Sequence, residues 1–181
     1  VFAGTASVSK AVIPYADNII MNDFLYSNNI IYKAFFGEGK YEDAKLSSLI
    51  TQYNTINPDD IPDNYFSDNF GNKFFDYKNA KLIGWIREDI ERHRKALTEK
   101  EYAILLASLI YSIDKIANTV GHFDAYIKKP IAYHPLTLQL IKPLSPNSVE
   151  IYREDSNLLA ERVSADVAYI DPPYNSRQYS R

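Results

Sequence analysis

The sequence predicts an α/β fold whose sheet is built from the two ends of the chain, with a mostly helical insertion between them. Three observations carry this. Short strand-like runs near both ends each lead into an acidic residue: Asn18 to Asp23, Val149 to Asp155 and Val167 to Asp171. A bend of small residues joins a strand end to a helix start at the N-terminus. From residue 39 to 146 the apolar residues instead recur at helical spacing. The expected divisions are therefore 1–38, 39–146 and 147–181.

The first element is the tail of a strand, Val1-Phe2-Ala3, followed by the bend Gly4-Thr5-Ala6 and a helix from Ser7 to Val12. Small residues let a ligand approach the backbone, and a helix start offers unpaired N–H groups. At Ala6 a positive φ is disfavoured, because a Cβ is present. Asn18-Ile19-Ile20-Met21-Asn22-Asp23 reads as a strand ending in a carboxylate. An acid at that place is how nucleotide-binding α/β sheets hold a ribose diol. The same acid could instead cap the helix expected from Leu25 to Phe36.

In the insertion, Tyr41 to Tyr53 carries Ala44, Leu46, Leu49, Ile50 and Tyr53 at helical spacing. Asn54 to Phe70, rich in Asn, Asp and Pro, reads as a loop. Ala80 to Arg94 places Leu82, Ile83, Ile86 and Ile90 on one helical face. Thr98-Glu99-Lys100-Glu101 has the form of a capping box opening a buried helix from Tyr102 to Asn118. The segment Gly121 to Lys129 then combines aromatics with Lys128 and Lys129, a pairing suited to base and phosphate contact but equally to a solvated helix exit.

The return to the sheet begins with Val149-Glu150-Ile151-Tyr152, which alternates as a strand does. It runs through Arg153 and Glu154 to Asp155, with Asn157 to Arg162 helix-like; Asp155 or Ser156 is the expected cap. Last comes the apolar run Val167 to Ile170 and then Asp171-Pro172-Pro173-Tyr174-Asn175. Prolines fix φ near −65° and carry no N–H, so the Asp171 and Pro172 carbonyls are expected to stay out of any ladder. Together with the Asp171 carboxylate and the Tyr174 ring they would receive a planar group bearing an amino group. Asp-Pro-Pro is also a frequent stop between strand and turn.

Here the chain resembles the amino-methyltransferases of nucleic acid, whose signature is Asp-Pro-Pro-Tyr after a strand. The continuation Asn175-Ser176-Arg177-Gln178-Tyr179 looks like that of the D12 class of adenine-specific DNA methylases, a class that includes modification enzymes of restriction systems. The bend at Phe2 to Ala6 is similar to their Phe-x-Gly-x-Gly loop for S-adenosylmethionine (SAM), with Ala6 in place of the second glycine. The resemblance implies a Rossmann-like methyltransferase sheet with a helical insertion. It implies SAM contacts at Phe2, Ala3, Gly4, Thr5, Asp23, Phe24 and Asp155, with Phe24 or Leu25 against the cofactor's adenine. It implies catalysis by Asp171, Pro172 and Tyr174 on a flipped adenine of double-stranded DNA. Contacts with DNA fall to the insertion, including Lys128 and Lys129, and to Asn175 and Arg177. A cognate restriction endonuclease is the implied companion, and segments before the bend and after the motif are expected to lie outside these 181 residues.

Bulk properties bound this reading. A hydrophobic content of 46% is ample for a core. No apolar run reaches the roughly 18 residues of a membrane span, and no leader pattern opens the chain. Cysteine is absent, which excludes disulfides and thiolate metal sites and is compatible with the cytoplasm. His93, His122 and His134 lack metal-ligand spacing, so no metal is expected. The net charge of −3 argues mildly against a nucleic-acid binder, leaving any basic path local. Three other readings stay open: an N4-cytosine DNA methylase, a truncated nucleotide- or DNA-binding module without turnover, and a helical structural protein.

Overall fold

A computed structural model of the chain describes residues 1–121, 123, 125–144 and 146–172. The chain divides into two compact units, Val1–Gly39 with Lys142–Arg181, and Lys40–Ile141.

The first unit is mixed α/β. Strand β1 (Ile19–Asn22) pairs in parallel with β2 (Val149–Tyr152), so that Ile19 faces Val149 and Asn22 faces Tyr152. Parallel partners need a crossover, and here more than a hundred residues intervene. The register is reinforced on the surface, where Asn18 Nδ2 donates to Glu150 Oε1 (2.9 Å) and Tyr152 Oη donates to Glu150 Oε2 (2.7 Å). Helix α1 (Ser7–Val12) precedes β1 and α2 (Tyr26–Phe35) follows it. Ile30, Tyr32, Ala34 and Phe36 are buried, as are Met21 of β1 and Leu159 of the short helix α7 (Ser156–Ala160).

The apolar run Val167 to Ile170 forms no strand, contrary to expectation. A strand needs a ladder partner, and among the described residues this run receives a single backbone bond, from the Val1 nitrogen to the Tyr169 carbonyl (2.9 Å).

The second unit is helical: α3 (Asp43–Thr55), α4 (Tyr65–Phe70), α5 (Tyr77–Arg92) and α6 (Glu99–Asp114). The predicted face of α5 is its buried face. The box at Thr98 and Glu101 opens α6, which starts three residues earlier than expected and stops at Asp114. Helix α4 corrects the loop expected there. Asn64 caps it by accepting from the Phe66 and Ser67 N–H groups, and the Ser67 hydroxyl accepts from the Asn64 N–H. Rings of Phe66 and Phe70 then pack 4.7 Å apart, with Phe75 5.6 Å from Phe66.

An extended segment from 134 to 141 crosses these helices and is held by side chains in place of neighbouring strands. Asn54 brackets Leu138, donating to its carbonyl (3.0 Å) and accepting from its N–H (2.8 Å). Asn79 does the same across the His134 carbonyl and the Leu136 N–H (2.8 and 3.0 Å). Ser112 and Ser108 accept from Gln139 and Ile141 (both 3.1 Å). Alternate residues Leu136 and Leu138 are buried, the period of a strand.

Candidate active site

Two of the three acids predicted at strand ends stand at the carboxyl end of the parallel pair, Asp23 directly after β1 and Asp155 three residues after β2. In open α/β sheets that edge is where ligands bind.

Asp23 organises the N-terminal bend. Its Oδ2 accepts from the Gly4 N–H and its Oδ1 from the Leu25 N–H, each at 2.9 Å. Asp23 therefore does not cap α2, whose N-cap is Leu25. Two carboxylate oxygens offer about four lone pairs, so Asp23 keeps acceptor capacity beyond these two bonds. The Ala3 N–H donates to the Asn22 carbonyl (3.0 Å), which sets the bend against the end of β1.

The bend alternates through the left-handed region, with φ of 57° at Phe2, 53° at Gly4 and 61° at Ala6. Only Gly4 adopts this freely. For an L-residue the conformation costs about 1–2 kcal/mol, so Phe2 and Ala6 need outside support. Ala6 gains it from burial of its methyl group (3% exposed). Its N–H also donates to the Ala3 carbonyl (2.8 Å), and its carbonyl accepts from the Lys10 N–H (2.9 Å). Ala6 thus holds the positive φ that its Cβ disfavours, because its surroundings outweigh the local preference.

Sequence reading missed two residues here. Tyr32, wholly buried on α2 (0% exposed), donates its hydroxyl to the Gly4 carbonyl at 2.6 Å. Burial, helped by the nearby Asp23 carboxylate, holds the Tyr32 phenol far above its usual value of 10.0, so it remains a donor. Asn22 (1% exposed) joins the two strand ends. Its Nδ2 donates to the Glu154 carbonyl (3.0 Å) and the Ser156 hydroxyl (3.1 Å), and its Oδ1 accepts from the Glu154 N–H (3.1 Å). The signal for both was a polar group at a position whose period is apolar.

Asp155 caps α7, its Oδ1 accepting from Asn157 (2.8 Å) and Leu158 (3.4 Å). Oδ2 takes no hydrogen bond among the described residues. Phe24 is 66% exposed beside Asp23. A guanidinium from Arg153 lies 5.3 Å from the Tyr26 ring centre. Gly4, Asp23, Phe24 and Asp155 thus belong to one unit and one edge of its sheet, a donor and acceptor set with an exposed ring that suits a nucleoside.

The bond between Val1 and Tyr169 brings the chain's start beside the run that leads to Asp171. The Tyr169 hydroxyl lies 3.4 Å from Asp171 Oδ2, and Pro172 is exposed. Tyr174, Asn175 and Arg177 lie outside the described residues. Lys128 and Lys129 are exposed in the second unit. They end a segment anchored by Asn118, whose Nδ2 donates to the Lys73 and Ile127 carbonyls (both 2.8 Å). Within it Phe123 and Tyr126 pack on Phe74, at 6.0 and 5.3 Å. His122 and Asp124 lie outside the described residues. No group of three or more His, Cys, Asp or Glu that could hold a metal ion occurs among the described residues.

Known proteins share this sequence pattern. The family described as D12 class N6 adenine-specific DNA methyltransferase matches residues 1–181. The type II methyltransferase M.NlaIII of Neisseria lactamica is 30% identical over 186 residues, covering 98% of this chain and 55% of that protein. The type II methyltransferase M.CviAII of Paramecium bursaria Chlorella virus 1 is 41% identical over 114 residues, 60% of this chain and 34% of that protein. Modification methylase StsI of Streptococcus sanguinis is 31% identical over 195 residues, 99% of this chain and 30% of that protein. The chain therefore spans about half the length of M.NlaIII and about a third of the other two. No solved structure matches it.

Proposed function

Because the chain belongs to the D12 class of N6 adenine-specific DNA methyltransferases, we propose that the protein methylates the N6 amine of adenine in double-stranded DNA, with SAM as donor. The observation that carries this is the fastening of the Gly4 bend to the Asp23 carboxylate (2.9 Å) at the carboxyl end of a parallel strand pair. On this reading the pair is part of a Rossmann-like methyltransferase sheet. Phe2, Ala3, Gly4 and Thr5 line the cofactor, Asp23 accepts from its ribose, and Phe24 stacks on its adenine. Asp155 accepts from the adenine amine through Oδ2.

SAM bound there supplies an electrophilic methyl group on a sulfonium. The chain's own task is to position and activate a poor nucleophile, since the adenine lone pair is conjugated with its ring. Asp171 Oδ and the Pro172 carbonyl accept hydrogen bonds from the two amine N–H groups. They draw the nitrogen toward tetrahedral geometry and stabilise the positive charge that develops on it. Alignment alone contributes several kcal/mol. The amine is out of reach inside a duplex, so the base must be flipped. Stacking on Tyr174 offsets about 1–3 kcal/mol of that cost. The helical unit, with Lys128 and Lys129, serves as the recognition region, and Asn175 and Arg177 contact DNA beside the flipped base.

The names of the relatives, type II methyltransferases and a modification methylase, support a place in a modification system with a cognate restriction endonuclease. No helix among the described residues is long and apolar enough to cross a membrane, in keeping with action on cytoplasmic DNA. The test is incubation of the intact protein with methyl-labelled SAM and duplex DNA, followed by nucleoside analysis. N6-methyladenine is expected. N4-methylcytosine, or no label in DNA at saturating SAM, would overturn the proposal.

A further inference from the structure

The Gly4 residue is clamped on both sides, its N–H by Asp23 Oδ2 (2.9 Å) and its carbonyl by the Tyr32 hydroxyl (2.6 Å). Packing alone does not call for that hydroxyl. Tyr32 is fully buried on α2 among Ile30, Ile31 and Ala34, where phenylalanine would fill nearly the same volume. The hydroxyl donates to the Gly4 carbonyl and lies beside the Asp23 carboxylate, so its role lies in what it orients at the bend.

A trans peptide unit is planar, with its C=O and N–H on opposite edges. The unit that carries the Gly4 carbonyl also carries the Thr5 N–H. Drawing the carbonyl inward to Tyr32 turns the Thr5 N–H outward. Thr5 is exposed, and its N–H finds no acceptor among the described residues. Were the same peptide flipped, the carbonyl would face outward and repel any ligand oxygen that now meets a donor. Such a flip turns ψ at Gly4, where no Cβ resists it, and φ at Thr5, where the side chain does. A fixed partner on the carbonyl adds to that resistance and holds the bend in one orientation.

We propose that Tyr32 is a positioning residue of the cofactor site, which by holding the Gly4 carbonyl presents the Thr5 N–H to an acceptor oxygen of SAM. The inference rests on the proposed function, since it takes the Gly4 bend to be the SAM loop. Tyr32 itself touches no cofactor. It acts through the peptide unit between Gly4 and Thr5, and its phenol stays protonated at any pH at which the protein works.

The test is SAM binding by calorimetry, and separate steady-state constants for SAM and DNA, in the intact wild-type protein and in Tyr32→Phe. The variant should bind SAM about three- to tenfold more weakly, the range expected for loss of one orienting hydrogen bond. Its KM for SAM should rise in step, while its KM for DNA changes much less. A second variant removes the donor: an ester in place of the Thr5 amide, which keeps the side chain, deletes the N–H and also makes the Gly4 carbonyl a weaker acceptor for Tyr32. It should weaken SAM binding to a similar extent, and Tyr32→Phe in that background should add little. The ester also decides the matter should Tyr32→Phe fail to fold. Unchanged SAM affinity in either single variant overturns the inference, as does a rise of both KM values that merely follows the fraction unfolded. A wild-type protein that binds no SAM overturns the proposed function, and the inference with it.

Discussion

Asp23→Asn probes the site at the point where structure and function meet. The substitution is isosteric, yet it replaces one of two accepting oxygens by an NH2 group. Asp23 accepts from Gly4 and Leu25 through different oxygens, each at 2.9 Å. An asparagine can satisfy one of these N–H groups and must point donors at the other. Hydrogen bonds to a charged group contribute about 1.5–3 kcal/mol each, and neutral ones about 0.5–1.5. One bond is lost and the other is weakened to a neutral one. Since the carboxylate is only partly buried, the expected loss is about 2–3 kcal/mol. For a chain of this size that lowers Tm by roughly 5–10 °C. Thermal denaturation without ligand measures this, and titration with SAM adds the functional half: binding should weaken beyond what the unfolded fraction explains. A variant that melts with the wild type would refute the claim that the carboxylate holds the bend. One that loses stability but binds SAM normally would remove Asp23 from the cofactor site.

Three further outcomes follow from packing and charge. Asn22→Ala strands the Glu154 N–H and carbonyl at the join of the two strands, which should cost about 2–4 kcal/mol; denaturant unfolding checks it, and Asn22→Asp should recover only the accepting half. Gly84→Ala should destabilise although alanine favours a helix interior by about 1 kcal/mol. The added Cβ would lie 2.2 Å from Asn64 Oδ1 and 2.8 Å from Phe66 Cβ. That displaces the α4 cap and makes the net change a loss of about 1–3 kcal/mol, and an increase in melting temperature would refute the packing described. Glu101 governs acid stability. Burial pushes its carboxyl up, but Lys45 and the Thr98 and Glu42 N–H groups together hold it below its ordinary 4.5. A lowered carboxylate stabilises fully above the unfolded value and loses that contribution as pH falls through the folded one. Between pH 7 and 3 the wild type should therefore lose more stability than Glu101→Gln; parallel melting profiles would contradict this.

Local signals in the sequence were enough wherever an element could be recognised from its own residues. The strands at Ile19 and Val149, the apolar face of α5 and the capping box at Thr98 all fall in this class. Their pairing came from the family resemblance and not from either segment, because nothing local to Ile19 points to Val149 across the insertion. Helix α4 is too short to show a period, and its Asn and Ser read as loop until their reciprocal capping bonds are seen. The segment from 134 to 141 lacks a recognisable partner strand because its ladder is made by side chains of Asn54, Asn79, Ser108 and Ser112. The run Val167 to Ile170 shows the reverse error, an apolar pattern without a ladder. At the site, the acids could be picked out by type and place. The buried polar residues that fasten the bend and the strand ends beside them, Tyr32 and Asn22, could not, since a polar side chain on a core face has meaning only once its partner is known.

The most direct test of a shared catalytic cleft is the substitution Asp171→Ala, with methyl transfer to duplex DNA and equilibrium SAM binding measured on the same preparation. If Asp171 receives the adenine amine while the Gly4 bend and Asp23 hold the cofactor, N6-methyladenine should disappear and SAM affinity stay within about twofold of wild type. Parallel loss of both would make Asp171 a structural residue, and retained transfer would remove it from the reaction altogether.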